Sequence, residues 1–469
     1  MRACGIGRSD YGAAAAARAS VNSAGLPCNS TPKPSTPHAQ AVRDLTPLPP
    51  EAVPPEIRRL RSAASRGRSG TGMPGRLGVC FFAASVLAAG EALALLDDQL
   101  ELSASQSAYR DDNVLRQPEG AGAQGDSYRV TTLGLRLDAP RDRQRLQGEL
   151  AVNSVRYRRF GEFDLDGHDG RATWHWRPGE SHNAKLGVAH RRALASLASV
   201  QEGVQSRVPN ALTTRRAYAA GEALLAARWQ LSLQAARLEQ SNAAAERQPN
   251  DLALDQGEAG FAYLSRAGNR LGLRARQARG ELPNAQLVAG SAIDNSYRQR
   301  ELAAVLDWRP GAQTRLRAHA GRVRRAYQQL PGRDFEGGTW EFSLDWTPTG
   351  KLELSALAQR GISDAEEINV NFVLAERIAL QAKLRPSAVT ELSAVLETSD
   401  RRTLGDAAVL LGAAPARSER LSAAGLAAGY RPLPQVTLGF TLRREKRSDV
   451  VGVAAYEADV AGLSARIGF

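Results

Sequence analysis

Apolar and polar side chains alternate along many short segments of this chain. In TWEFSLDW, Trp340, Phe342 and Leu344 fall on one side of an extended backbone, whereas Glu341 and Asp345 fall on the other. A period of two is typical of strands that have one apolar and one polar face. The pattern returns in VTLGFTLR, RATWHW and TRLRAHAG, and the chain after residue 94 has no apolar run of helical membrane-span length. The alternation therefore predicts an all-β protein and excludes a helical membrane protein.

Short links rich in proline and glycine separate pairs of these segments, and longer polar links separate the pairs from one another. WRPG occurs twice, and each short link reads as a tight turn. The longer links include YRDDNVLRQPEGAGAQGDS and FGEFDLDGHDG. Eight short links are expected, at Pro140, Trp176–Gly179, Arg228, Gly268, Trp308–Gly311, Trp346, Leu384 and Tyr430. This asymmetry predicts a closed antiparallel transmembrane β-barrel of about 18 strands, with short periplasmic turns and longer extracellular loops.

Closure is required physically, because every backbone N–H and C=O in hydrocarbon needs a partner and an open sheet leaves its edges unpaired. Four aromatic residues precede short links, where a girdle at the membrane surface is expected: Trp176, Trp308, Trp346 and Tyr430. A soluble β-sandwich or β-solenoid would also alternate. The girdle, the export signal described next and the final residue Phe469 weigh against that alternative.

The segment from Met73 to Ala94 has the features of a secretory signal. Arg76 precedes a short apolar run, and Ala92 and Ala94 form an A-x-A cleavage site. We therefore predict a mis-annotated or disordered extension at 1–72, a signal peptide at 73–94 and the barrel at 95–469, with the bacterial outer membrane as its location. A basic arm at 1–72 that binds nucleic acid or membrane is the alternative.

Charge and cysteine content agree with export. The net charge is +12, but about half of this excess lies in residues 1–94, so the mature chain gives no reason to expect a nucleic-acid partner. All three cysteines lie within the first 80 residues. A mature chain without cysteine suits an oxidising compartment, where stray thiols would pair wrongly.

About 18 tilted strands enclose an aqueous interior. The alternation assigns a set of charged side chains to the lumen: Arg177, Arg274, Arg276, Arg315, Arg317 and Arg443, with Glu301, Glu341, Asp345 and Glu353 among them. Arginine rows attract anions, and interspersed carboxylates weaken that preference. The competing interpretation is an ordinary mixed polar wall without selectivity.

Nothing in the sequence indicates an enzyme. His175 and His319 are assigned to the inner face, but neither has a serine or aspartate at a sequence spacing that would indicate a catalytic site. No metal-ligand spacing or phosphate-binding loop is found, so no catalytic residue, metal or cofactor is predicted.

The last strand and one early segment resemble known families. Outer-membrane barrels commonly end in an alternating strand with a terminal aromatic residue that the barrel-assembly machinery reads. Phe469, Ile467 and Leu463 match that signal, with Ile467 where tyrosine is frequent. SAYRDDNVLR near the start resembles the EpsL-type outer-membrane proteins of exosortase-linked exopolysaccharide operons. The residues that carry this second resemblance are Asp111, Asp112, Asn113 and Arg116.

The second resemblance implies a role in polysaccharide export or assembly, without enzymatic activity. Two classes of function stay open: a conduit or porin-like channel, and a plugged barrel that acts as a scaffold or binds glycan. An outer-membrane enzyme is a weaker third. The partners implied are outer-membrane lipid, the barrel-assembly machinery, acidic polysaccharide and periplasmic export components. The Asp-Asp-Asn segment is expected to cap a turn at a loop base.

Overall fold

Eighteen long antiparallel strands form one closed barrel in this computed structural model. The structure describes residues 99–118, 120–195, 200–201, 204–205, 208–288, 291–329, 331–364, 372–404, 418–451 and 455–469. The predicted extension at 1–72 and signal peptide at 73–94 lie outside these residues. The closed ring excludes the sandwich and solenoid alternatives.

The barrel strands are numbered here in chain order. They are β1 Leu100–Asp111, β2 Asp126–Arg141, β3 Gln144–Tyr157, β4 Leu165–Trp176, β5 His182–Leu194, β6 Ala211–Leu225, β7 Trp229–Asn242, β8 Leu252–Leu264, β9 Arg270–Glu281, β10 Tyr297–Gly311, β11 Thr314–Tyr327, β12 Phe335–Thr349, β13 Leu352–Asp364, β14 Phe372–Leu384, β15 Thr390–Leu404, β16 Ser418–Leu433, β17 Val436–Val451 and β18 Tyr456–Gly468.

Each strand pairs with its neighbour in sequence, and β1 pairs with β18 to close the ring. In that seam Ser103 lies opposite Gly468, and Asp111 lies opposite Val460. Phe469 extends the seam by two backbone hydrogen bonds with Leu102, of 3.0 and 2.8 Å. The final residue of the chain is thus part of the closure, which leaves no free edge between the first and last strands.

Eight connections of two to five residues lie at one end of the barrel, as predicted. The connections at the other end have seven or more residues, except the one between β17 and β18, which has four. Trp176–Gly179 forms part of a true turn after β4. At Trp308–Gly311 the strand instead runs on through Pro310, and a register shift lies between Trp308 and Gly311. The same irregularity occurs after Trp346 and Tyr430. Pro310, Pro348 and Pro432 at these sites lie in bulged strand ends rather than in the turns. A residue in a bulge does not need to donate a hydrogen bond to the neighbouring strand, so proline is tolerated there although it has no N–H.

The longer connections contain some regular structure of their own. Short hairpins join Val200–Gln201 to Val204–Gln205 and Gln286–Val288 to Ser291–Ile293. Short 3-10 helices occupy Gly161–Phe163, Ala245–Asn250 and Pro331–Arg333, and another lies in a short connection at Ala226–Arg228. DLDGHDG, predicted as part of a link, lies mostly within β4. No helix in the described ranges has the length and apolar character needed to cross a membrane.

One face of the barrel wall is an apolar belt. Its members are large, apolar and exposed, as in Leu133, Leu186, Leu271, Leu302, Ile378, Leu396, Leu426, Phe440 and Leu463. The predicted girdle residues Trp176, Trp308, Trp346 and Tyr430 are exposed at the short-turn end of the same face. Exposed leucines at alternate positions around a closed barrel form a surface that only lipid would cover, so this face is the outside.

Replacing Leu273 with arginine should destabilise the barrel, because this side chain is 60% exposed on the lipid-facing side and lies opposite Ala304, midway between Trp308 and Arg300 on β10. A charge at the bilayer midplane costs about 2–4 kcal/mol in such barrels. Urea unfolding in lipid vesicles would measure the loss. Ser241→Arg is the matched control, since Ser241 is exposed near the extracellular end of β7, where the cost falls to about 0–1 kcal/mol. Equal losses in the two variants would contradict the placement of the belt.

Candidate functional site in the barrel lumen

The face opposite the belt carries paired charges. On β8 to β10, Arg274 Nη2 lies 3.4 Å from Glu301 Oε1, and Arg276 Nη1 lies 3.7 Å from Glu301 Oε2. Glu258 lies 3.8 Å from Arg274, and Thr339 donates a hydrogen bond of 3.1 Å to Glu301. The Glu301 side chain is only 6% exposed. Arg274 and Arg276 therefore lie close together on the inner face, and a shared carboxylate neutralises part of their charge.

Nearer the short turns the same arrangement repeats. Arg317 contacts Asp345 at 2.8 Å, and Arg315 Nε donates to Asp307 Oδ1 at 3.0 Å. Both arginines lie on β11 between the strands that supply their partners. Alternation identified Arg315, Arg317 and Asp345, but it could not show that they neutralise one another, because cross-strand register decides this.

The remaining predicted lumen residues are spread along the wall. Glu341 lies opposite His319 in the β11–β12 register. Arg443 lies on the inner face of β17, with its guanidinium 3.2 Å from Glu445. Arg177 differs, because β4 ends at Trp176 and Arg177 is an exposed turn residue rather than part of the strand wall.

The first extracellular loop, described at residues 112–118 and 120–125, folds into the barrel mouth. Val114 and Leu115 are buried against the inward-facing Tyr128 and Tyr157. Tyr109, Tyr128 and Tyr157 lie side by side across β1 to β3, with successive ring centroids 5.0 Å apart. These rings give the loop an apolar floor, and burial of two aliphatic side chains on it stabilises the inward conformation.

Tyr109 also requires a small neighbour in the seam. A β-carbon added at Gly462 on β18 would lie 2.5 Å from the Tyr109 ring. Glycine at this position therefore lets the tyrosine lie against the last strand. The seam and the aromatic floor of the loop are thus one packed unit.

A buried polar cluster holds the loop in place. Arg116 Nη1 donates to both oxygens of Asp111, at 2.9 and 2.8 Å, and its Nε lies 3.4 Å from Glu445. The Asn113 amide oxygen accepts from Gln117 N–H at 2.8 Å. Its amide nitrogen donates to the Gln117 and Glu457 carbonyls, both at 2.9 Å. The side chains of Asn113 and Asp111 are almost fully buried and satisfied, as buried polar groups must be.

The charge of Arg116 is maintained by its neighbours. Burial disfavours the charged form, but the carboxylates of Asp111 and Glu445 outweigh it and raise the pKa of Arg116 above its ordinary value. Its backbone has a φ of +53°, a conformation that non-glycine residues rarely adopt. This strained conformation persists because the guanidinium is held by two different elements, the end of β1 and β17.

The Asp-Asp-Asn segment also joins the first strand to the last. Asp112 accepts a hydrogen bond from the Asp459 N–H at 2.7 Å, and its own N–H donates to the Asp459 carbonyl at 3.2 Å. The predicted turn cap is present, since Asn113 N–H donates to Asp111 Oδ1 at 2.9 Å. The sequence did not show that the loop turns inward, because that depends on contacts with β17 and β18, more than 300 residues away.

A second aromatic cluster lies half of the ring away, at the extracellular ends of β10, β11 and β14. Tyr327 stacks on Phe372 at 6.0 Å and lies 5.7 Å from Tyr297. The guanidinium of Arg325 lies 3.8 Å over the Tyr297 ring. The two clusters thus narrow the mouth from opposite sides. The alternating pattern of the sequence did not predict this cluster, because it assigns each aromatic residue to a face of its own strand and does not show which rings meet across strands.

Comparisons with known proteins give distant matches in fold only. No family model matches the chain, and no curated protein matches it. Among solved structures, Pseudomonas aeruginosa OccK2 (OpdF) is 12% identical, with a TM-score of 0.44 over 80% of this chain and 98% of that one. Pseudomonas aeruginosa OccK9 (OpdG) is 14% identical, with a TM-score of 0.43 over 80% and 99%.

The alcaligin outer membrane receptor FauA from Bordetella pertussis is 11% identical, with a TM-score of 0.36 over 78% of this chain and 76% of that one. Similarity at this level carries no argument about what this chain does. The described residues contain no group of three metal-binding side chains. The closed ring, its apolar belt and its charged interior identify the chain as a bacterial outer-membrane β-barrel.

Proposed function

We propose that the protein is a channel for polar solutes across the outer membrane. The observation that carries this proposal is the ion-paired inner wall of an 18-stranded ring. Side chains fill the interior of small barrels, whereas rings of about 16–18 strands leave an aqueous passage. Charged side chains that point inward remain hydrated in such a passage, whereas a dry core would not accommodate them.

Paired arginines and carboxylates favour a solute that is itself polar along its length. A sugar chain has many hydroxyl groups that can exchange hydrogen bonds with successive wall residues. Arg317 and Arg443 remain partly exposed, at 39% and 33%, and can meet carboxylates on a passing chain. These features support an acidic polysaccharide as the solute class.

The proposal that the channel exports an exopolysaccharide rests on the EpsL-like segment, which includes Asp111, Asp112, Asn113 and Arg116. In this chain that segment fixes the first loop in the mouth. A loop held there sets the width of the passage. We propose that it adjusts the mouth to a single polymer chain delivered by periplasmic export components. Catalysis forms no part of this proposal.

A scaffold or glycan-binding role is the second candidate. The observation that favours it is the pair of aromatic clusters that face each other at the mouth. Aromatic rings are suited to stacking against sugar faces, and a mouth closed by them would bind a glycan without conducting it. Conduction therefore separates the two candidates.

Single-channel recording of the barrel from Leu95 to Phe469 in planar bilayers tests the proposal. We expect discrete conductance steps that an acidic polysaccharide blocks from one side and a neutral polysaccharide of equal length blocks less. A folded barrel without conductance would overturn the channel and favour the scaffold. Steps that no polysaccharide blocks would retain the channel and reject the polymer as its solute.

A further inference from the structure

Five exposed arginines lie together on the outer surface, on three adjacent strands. They are Arg279 on β9, Arg298 and Arg300 on β10, and Arg322 and Arg324 on β11. These positions share the face of Leu273 and Leu302, which are 60% exposed in the lipid-facing belt. The five arginines are called the basic patch below.

The register places arginines directly opposite one another within the basic patch. Arg279 lies opposite Arg298, and Arg300 lies opposite Arg324. Like charges at directly opposed positions destabilise a pair of strands. An arrangement with two such pairs side by side costs folding free energy unless an anion compensates for it.

Protein carboxylates compensate only in part. Glu281 contacts Arg279 at 2.8 Å, and Glu336 contacts Arg322 at 2.9 Å. Arg298, Arg300 and Arg324 form no ion pair with any residue in the ranges that the structure describes. The register also places Glu336 opposite Arg324, so the uncompensated positive charge is greatest at Arg298 and Arg300.

Several other outward arginines at the same end of the barrel have carboxylate partners. Arg237 contacts Asp255 at 3.0 Å, Arg420 contacts Asp400 at 2.9 Å, and Arg360 lies 3.7 Å from Glu376. Arg129 and Arg215 are also exposed on the outer wall and form no ion pair among the described residues, but in the basic patch two directly opposed arginine pairs lie side by side.

The height of the basic patch identifies what surrounds it. Arg300 is one outward position beyond Leu302 toward the extracellular end, a rise of about 7 Å along the strand. The arginines begin where the apolar belt stops. That level is the headgroup layer of the outer leaflet, in which the bacterial outer membrane carries phosphorylated glycolipid.

We propose that Arg298, Arg300 and Arg324 bind the phosphate groups of an outer-leaflet glycolipid of the lipid A class, whose acyl chains lie against Leu273 and Leu302. Arginine forms short, charge-assisted bonds with phosphate oxygens, and basic clusters at the edge of a membrane-spanning surface bind anionic headgroups. Bound phosphate would also remove the repulsion between the opposed arginines. The site is on the outside of the barrel and is independent of conduction.

The test compares two sets of substitutions in the full chain, purified in detergent from the outer membrane and stripped of lipid. The patch variant is R298Q/R300Q/R324Q. The control variant, R237Q/R360Q/R420Q, removes the same charge from arginines that have partners. Heat-dependent gel migration confirms that each variant is a folded barrel, and titration with lipopolysaccharide in detergent measures affinity.

We expect the patch variant to lose about tenfold or more in affinity and the control to change by less than about twofold. Enzymatically dephosphorylated lipopolysaccharide should bind the unmodified barrel as weakly as intact lipopolysaccharide binds the patch variant. Inorganic phosphate at millimolar concentration should not compete, because the acyl chains contribute to binding. Equal losses in both variants, undiminished binding of dephosphorylated lipid, or full competition by phosphate would overturn the proposal.

Discussion

Replacing Arg116 with alanine is expected to release the first extracellular loop from the barrel mouth. The guanidinium is buried and contacts both Asp111 and Glu445. Its removal leaves Asp111 without its cation in a site from which water is excluded, and breaking a buried pair in this way costs about 3–5 kcal/mol. Burial of the Val114 and Leu115 side chains contributes a comparable amount, about 1.5–3 kcal/mol each, so loss of the ion pair removes about half of what holds the loop inward.

Release of the loop can be detected by two measurements. Single-channel conductance should rise, because residues 112–125 no longer narrow the mouth. Chymotrypsin should cut after Leu115, which is buried in the unmodified barrel. The control is Arg129→Ala, which removes an exposed outward arginine from the adjacent β2 and should alter stability by less than about 0.5 kcal/mol.

An Arg116→Ala barrel with unchanged conductance and an uncut loop would show that the aromatic floor alone holds the loop. The variant Asp111→Asn separates the two partners of the guanidinium. It removes the charge of the pair but keeps an oxygen that can accept from Asn113 N–H, so a smaller effect than that of Arg116→Ala is expected.

Replacing Glu301 with glutamine is expected to make the lumen more selective for anions. Glu301 contacts both Arg274 and Arg276. Glutamine has a polar side chain of the same size but no charge. Loss of the Glu301 charge leaves Arg274 paired with Glu258 and leaves Arg276 without an ion pair among the described residues. The anion-to-cation permeability ratio, from reversal potentials in a salt gradient, should rise by about two- to fivefold.

The shift should be larger at low ionic strength, because salt screens fixed charges in an aqueous passage. Arg317→Gln should shift the ratio the other way, since it frees Asp345. Glu239→Gln is the control, because Glu239 pairs with Arg237 on the outer surface. A conducting barrel whose selectivity is the same in all three variants would show that wall charges do not determine what passes.

The sequence by itself determined the barrel. Alternation fixes which residues of a strand share a face, and this period holds whatever the strand packs against. The assignment of Arg274, Arg315 and Asp345 to the face opposite Trp340 and Leu344 follows from counting by two. The number of strands follows similarly, because each short turn must be followed by a longer link.

Only the tertiary structure decided which charges neutralise one another and where the first loop lies. Glu301 meets Arg274 and Arg276 because of the register between β9 and β10, and a shift of one residue would move it to the lipid face. Arg116 meets Glu445 only because the ring closes β1 against β18. Contacts between residues more than 300 positions apart depend on closure of the whole barrel, and no local pattern in a chain contains that information.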